Sequence, residues 1–236
     1  MKFPEIDFFS LKDTDPEVPD LTGVHIWEIN LSLVKHNLFF FETVLSPDEY
    51  GKSMKFRFAD DRLRSSVSRA CLRILCSKYL SVSPEDLIFS CTSKGRPYLL
   101  SADFSFNVSH SKDFVLIGFS KLSGFGVDIE YNRRINDYMS IAEKYFHGEE
   151  YGFLKSLDKD EAKKIFLKYW TAKESYVKAL GDGIGKRLNS FYIKEPFPVN
   201  QFAPIHETQN NPCRKIYVYS YVPHQDYFAA FCLIMD

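Results

Sequence analysis

The sequence predicts an α+β fold of two similar lobes, each a small, mainly antiparallel sheet packed with helices. Three observations carry this. A strand, a set of helices and a β-hairpin occur in that order twice along the chain. The 236 residues suffice for one large domain or two small ones. Hydrophobic residues make up 45% and aromatic residues 16%, enough for a sizeable core. The linker is expected near Lys121–Gly124, giving an N-terminal lobe 1–122 and a C-terminal lobe 123–236.

Each element has its own warrant. Residues 1–22, with Pro4, Pro16 and Pro19, read as an irregular arm. Gly23–Ser32 (GVHIWEINLS) reads as a strand with Val24 and Ile26 on one face. Leu45–Tyr50 starts a helix, with Ser46 as cap, Pro47 at the first position and acids in the first turn. A longer helix follows over Asp61–Leu80, where Leu63, Val67, Ala70, Cys71, Ile74 and Leu75 recur near the helical period. Ser83–Leu87 is a helical turn and Lys94–Leu99 (KGRPYL) a loop between strands. Phe104–Ser120 is a hairpin turning near Ser111–Asp113. In the second half, GFGVDIEYNR is a strand. Helices are predicted over Ile135–Tyr145, Gly148–Leu157 and Asp160–Leu180. The last stops at Gly181–Gly183, where glycines accept positive φ. Arg214–Met235 closes the chain as a strand pair turning at Pro223–Asp226.

Composition removes several function classes. A formal charge of −1 argues against a nucleic-acid binder, yet allows a local basic cleft for a phosphate-rich small ligand. The five cysteines, at 71, 76, 91, 213 and 232, form no CxxC pair, so neither a disulfide framework nor a zinc site is suggested. The N-terminus lacks an apolar signal region and no stretch reaches the length of a membrane span, so a soluble cytoplasmic protein is expected. There is no phosphate-binding GxxxxGK[ST] loop, no dinucleotide fingerprint and no GxSxG elbow.

Four constellations remain, each with a plain alternative. In an extended strand, residues two apart share a face, so Asp128 and Glu130 point the same way while Val127 and Ile129 point into the core. Adjacent carboxylates repel unless a cation intervenes, and magnesium suits them; a solvated acidic edge would look the same. Trp170, Glu174 and Lys178 fall at steps of four on one helix face, as metal ligand and phosphate clamp or as a core aromatic beside a surface ion pair. NVSHS (Asn107–Ser111) places a histidine between serines at a hairpin turn, suited to phosphate oxygens or to turn chemistry alone. Lys52, Lys55, Arg57, Arg62, Arg64, Arg69 and Arg73 form a basic stretch that could serve a polyanionic ligand, or lie on a solvated helix face.

Taken together, GRP, FNVSHS, GVDIE, EKYFHGEEYGFL (Glu143–Leu154) and WTAKESYVKALGDG resemble the 4′-phosphopantetheinyl transferases. The match is to the longer, surfactin-synthetase-activating type rather than the short trimeric holo-carrier-protein synthases. It spans about Val24 to Gly185 plus the terminal hairpin.

The resemblance implies that family's fold, two lobes related by pseudo-two-fold symmetry, and a monomer with coenzyme A in the cleft between them. It implies transfer of 4′-phosphopantetheine from coenzyme A to a serine of an apo carrier: an acyl carrier protein, a peptidyl carrier protein or an aminoadipate-reductase carrier domain. Adenosine 3′,5′-bisphosphate would leave. By similarity Asp128, Glu130 and Glu174 hold magnesium, with manganese as the alternative ion, and Lys178 holds the pyrophosphate. His110 with Ser109 meets phosphates of coenzyme A. Lys52, Lys55 and Arg64 match residues that meet the 3′-phosphate. Gly95, Arg96 and Pro97 match the loop beside the adenine. Lys173 is placed near the phosphates or the acceptor serine, and Glu174 is the candidate base. An acidic, helical carrier would dock after Glu130 and around Tyr145–Leu157, with Met139, Tyr145 and Phe146 as its apolar contact. A magnesium-dependent phosphohydrolase or nucleotidyltransferase, and an inactive coenzyme A-binding scaffold, are the rivals. Intact Asp128, Glu130, Glu174 and Lys178 speak against the scaffold.

Overall fold

The computed structural model describes residues 3–12, 14–132, 135–181, 188–208 and 214–235. Its contacts divide the chain into two compact units, Met1–Lys121 and Leu122–Asp236.

In the first unit, β1 (Ile6–Leu11) and β2 (Val24–Asn30) lead into the short helices α1 (Leu31–Val34) and α2 (Leu38–Val44). Helices α3 (Pro47–Ser53) and α4 (Ala59–Leu80) follow. A small ladder, β3 (Phe89–Cys91) and β4 (Pro97–Leu99), precedes the hairpin β5 (Ser105–Ser111) and β6 (Phe114–Ser120). The main sheet has the order β1-β2-β6-β5. The predicted helix, hairpin and turn positions are found. Residues 1–22 are not wholly irregular, because Ile6–Leu11 pairs in parallel with β2 from Ile6↔Val24 to Leu11↔Ile29. The prolines of the arm flank this strand instead of interrupting it.

Val24 and Ile26 share a face of β2, as expected, and the opposite face meets α4: Trp27 and Ile29 join Val67, Ala70, Ile74, Val115, Ile117 and Phe119 in the core. Trp27 Nε1–H donates to Tyr79 Oη at 3.0 Å, and His25 Nδ1 lies 2.7 Å from the same hydroxyl. Val24 and Ile26 are buried on the opposite face.

The α3 start is a capping box. Ser46 Oγ accepts from Glu49 N–H, and Glu49 Oε2 accepts from Ser46 N–H at 2.9 Å. Glu49 Oε1 also accepts from Arg69 at 2.5 Å and Arg73 at 3.2 Å. Arg73 further donates to the Pro84 and Leu87 carbonyls. Two of the seven basic candidates therefore tie α3 and the following loop to α4, and Arg62 is bound by Glu42.

The second unit opens with β7 (Gly124–Tyr131), continues through α5 (Tyr138–Tyr145), α6 (Gly148–Lys155) and α7 (Lys159–Leu180), and ends with β8 (Phe191–Ile193), β9 (Phe202–Glu207), β10 (Lys215–Tyr221) and β11 (Tyr227–Met235). The sheet order is β7-β11-β10-β9-β8, antiparallel throughout. Asp158 caps α7 by accepting from Asp160 and Glu161 N–H, and Gly181 ends it at φ 69°. The end of the GDG stop, Asp182 and Gly183, lies outside the described residues.

The position of α7 rests on Gly126. A Cβ there would lie 2.3 Å from the Ser175 carbonyl oxygen and 2.5 Å from the Ala179 nitrogen. Only a bare α-carbon lets helix and strand approach this closely. Gly126→Ala is expected to cost about 2–3 kcal/mol by overpacking, lowering the melting temperature by about 5–10 °C in calorimetry. An unchanged melting curve would show that the packing can yield.

Candidate active site

The approach at Gly126 determines which β7 side chains face α7. Asp128 and Glu130 share its side of the strand, in register with Ala230 and Phe228 of β11. Phe125, Val127 and Ile129 lie buried on the other face, outside the helix-packed core. The expected shared face of the carboxylates is thus the one that meets the helix.

On α7, Lys178 Nζ donates to Asp128 Oδ1 at 2.8 Å and to the Val127 carbonyl at 3.1 Å. Glu174, one turn earlier, is 5% exposed, and its Oε1 is buried without a hydrogen-bond partner. Burial foremost, then the Asp128 charge, push the Glu174 carboxyl up to about 7; Lys178 opposes this and Glu130 adds to it. Trp170 stacks on Phe166 and Phe146 and borders the core.

The folded protein therefore holds the Glu174 proton more tightly than the unfolded chain. This carboxylate adds no penalty below about pH 4.5 and a growing one as pH rises to about 7. In the presence of a chelator, Glu174→Gln should raise stability at pH 8 by on the order of 1–3 kcal/mol, with the gain vanishing near pH 5. Thermal melts at both pH values check this, and an equal effect at both would overturn it.

Carboxylate oxygens suit a hard divalent cation, and a buried carboxylate without a partner is the kind of group one would satisfy. Among the described residues, no three His, Cys, Asp or Glu side chains already stand in a metal-holding group.

Lys173 departs from expectation. It is fully buried, with Nζ 2.7 Å from Glu150 Oε2 and donating to the Leu188 and Phe191 carbonyls at 2.7 and 2.9 Å. Its ammonium belongs to the interior of the second unit and does not reach a phosphate or an acceptor serine. Phe146 is likewise core, stacked on Phe166, whereas Tyr145 is exposed and Met139 partly buried. The expected apolar contact for a carrier therefore loses Phe146.

The first unit contains a pocket of about 340 Å³ lined by Phe56, Asp61, Arg64, Ser65, Ser68, Arg69, Leu72, Pro97, Val108 and His110. It brings Arg64, Pro97 and His110 together. Arg64 Nη1 donates to Asp61 at 2.7 Å, and its Nε and Nη2 to the Lys112 carbonyl at 3.3 and 3.2 Å. Lys112 sits at φ 50° in the β5–β6 turn.

Ser109 is adjacent to His110 in a regular strand, so it points to the opposite face and is buried there. The expected Ser109–His110 pair cannot grip one group from one side. Lys52 and Lys55 are exposed and outside the pocket wall. Gly95 takes φ 84° in the β3–β4 turn, where Gly95 N–H donates to the Thr92 carbonyl; Arg96 is half-buried beside it. Arg69, a member of the basic stretch, also lines the wall, and Ser65 and Ser68 are wall residues that motif reading missed. Ser65 lies four residues after Asp61 and Ser68 four after Arg64, one helical turn each, which was the available signal.

Comparisons with known proteins identify the family. A family model described as the 4′-phosphopantetheinyl transferase superfamily matches residues 124–232, and one described as 4′-phosphopantetheinyl transferase, N-terminal, matches residues 32–121. The chain is 37% identical over 179 residues to the 4′-phosphopantetheinyl transferase HetI of Nostoc sp. (strain PCC 7120 / SAG 25.82 / UTEX 2576), covering 72% of this chain and 76% of that one. It is 31% identical over 155 residues to the 4′-phosphopantetheinyl transferase Sfp of Bacillus subtilis (strain 168), covering 65% and 68%. It is 30% identical over 191 residues to the 4′-phosphopantetheinyl transferase ffp of Bacillus subtilis, covering 80% and 81%. Both halves match in order, and the chain belongs to the 4′-phosphopantetheinyl transferase superfamily, as an Sfp-like enzyme that transfers 4′-phosphopantetheine from coenzyme A to carrier proteins.

Proposed function

We propose that Arg64 and His110 hold the phosphorylated nucleoside end of coenzyme A, while Asp128, Glu130, Glu174 and Lys178 handle its pyrophosphate. The observation that carries this is the buried cluster of Glu174, Asp128 and Lys178 on the GVDIE strand and the KES helix. Asp128, Glu130 and Glu174 would hold magnesium, which when bound supplies positive charge to a pyrophosphate oxygen as the leaving group departs.

The remaining work falls to this chain's own groups. Phosphoryl transfer needs charge neutralisation and alignment more than covalent help. The Lys178 ammonium, 2.8 Å from Asp128, would neutralise a phosphate oxygen. Glu174 is the group assigned to accept the acceptor serine's proton. The serine oxygen forms a bond to the β-phosphorus on the pantetheine side. The bond from that phosphorus to the adenosine-bearing phosphate breaks, releasing adenosine 3′,5′-bisphosphate.

The acceptors proposed are fatty-acid, polyketide and nonribosomal-peptide carriers and aminoadipate-reductase domains, met by a monomer in the cytoplasm. No helix of the described residues is long and apolar enough to cross a membrane.

Intact mass of a panel of apo carriers, incubated with coenzyme A and magnesium, tests the proposal. One phosphopantetheine should be gained, and the gain should disappear on chelation. Transfer undiminished by chelation would remove the metal from the proposal. Arg64→Gln should raise KM for coenzyme A by about tenfold or more with kcat nearly kept, as expected for a charge-assisted ground-state contact. A fall in kcat alone would place Arg64 elsewhere.

A further inference from the structure

We infer that the Ser68 hydroxyl is a ligand-binding group of the first-unit pocket, donating a hydrogen bond to a phosphate oxygen at the nucleotide end of coenzyme A. This rests on the assignment of that end to Arg64 and His110.

A serine within a helix ordinarily satisfies its hydroxyl by bonding back to a carbonyl one turn earlier. Ser77 does so to Ile74 at 2.8 Å, Ser175 to Ala172 at 2.8 Å and Thr171 to Lys168 at 3.1 Å. Ser68 does not. Its Oγ is buried without a hydrogen-bond partner, the residue is 7% exposed, and it forms part of the pocket wall. A buried hydroxyl left unpaired is costly, and a group entering the pocket can supply the missing bond.

The surroundings state what that group is. Asp61, Arg64, Ser68 and Leu72 follow one another at steps of three and four, and Ser65 lies four residues after Asp61, so they form one stripe of α4. Ser68 lies one turn from Arg64 and one from Leu72. Arg69, whose guanidinium lies 3.8 Å from the Phe89 ring centroid, and His110 complete the polar wall. Arg64 and Arg69 are each paired with one carboxylate, Asp61 and Glu49, and the guanidinium, imidazole and hydroxyl groups that line the wall still present donors suited to an anion's oxygens. A hydroxyl is a donor that phosphate oxygens accept well.

Ser66 provides an internal control. It lies on the same helix, its buried Oγ also lacks a hydrogen-bond partner, and it is not part of the pocket wall.

The test is isothermal titration of the full chain with coenzyme A and with adenosine 3′,5′-bisphosphate, using wild type, Ser68→Ala and Ser66→Ala. Ser68→Ala should weaken both ligands by about three- to tenfold, the range of one hydrogen bond, without lowering the melting temperature. Ser66→Ala should leave binding unchanged. If wild type binds and Ser68→Ala binds equally well, the inference falls while the pocket assignment stands. If both variants weaken binding alike, the effect is structural and the inference also falls. If wild type binds but Arg64→Gln binds no less tightly, the assignment of the nucleotide end to this pocket fails, and the role of Ser68 fails with it.

Discussion

Glu174→Ala is expected to lower kcat for carrier modification by about a hundred- to ten-thousandfold, the range for losing a general base or a preorganised charge at the reacting phosphate. Affinity for adenosine 3′,5′-bisphosphate should stay within about twofold, because the Arg64 pocket is assigned the nucleotide end and Glu174 the pyrophosphate end. The contrast with Arg64→Gln, which acts on KM, separates the two sites by their kinetics. Alanine also removes a buried carboxylate whose neighbours Asp128 and Glu130 raise its proton affinity. The variant should therefore fold at least as well as wild type in the presence of a chelator, and a lost rate cannot be put down to unfolding. Pre-steady-state mass spectrometry of the carrier measures the rate. A Glu174→Ala enzyme that transfers at more than a tenth of the wild-type rate would remove Glu174 from the chemistry.

The parts of this site that sequence made legible are those governed by local rules. Ser46–Pro47 and Gly181 mark helix ends because capping and positive φ are local matters. Asp128 and Glu130 share a face because strand alternation is local too. The same alternation places Ser109 and His110 on opposite faces, which excludes the pairing that the family resemblance implies. What was not legible depends on long-range packing. β1 exists through parallel pairing with β2 across an intervening loop. Residues 31–44 form short helices broken at Asn37, too brief to show a period, and β8 and β9 lie in a segment with no clear alternation. α7 is buried on nearly every side along Thr171–Val177, so no periodicity shows which of its polar residues face a ligand and which face the core. Lys173 and Glu174 are neighbours in sequence with opposite fates for that reason.

That difference leads to the other large effect. Lys173→Met should destabilise the protein by about 3–5 kcal/mol, since removing one partner leaves a buried carboxylate uncompensated. For a chain of this size the melting temperature would fall by about 10 °C. Glu150 is 1% exposed and accepts from Ile193 N–H at 3.0 Å and His147 N–H at 3.1 Å, so it links the α6 start to β8. Lys173 joins that link to α7 and satisfies the Leu188 and Phe191 carbonyls. Burial pulls the Lys173 amine down and the Glu150 carboxyl up, while their mutual attraction opposes both. Glu150→Gln alone should also be costly, because an amide cannot accept from both backbone N–H groups and hold the ammonium. The double variant Lys173→Met, Glu150→Gln should lose less than the two single losses added together, with a coupling of about 1 kcal/mol or more. Urea denaturation of all four proteins gives the cycle. Additive losses would mean that the two charges act separately. A Lys173→Met protein of unchanged stability but poor phosphate affinity would return Lys173 to the ligand, against the burial that places it in the core.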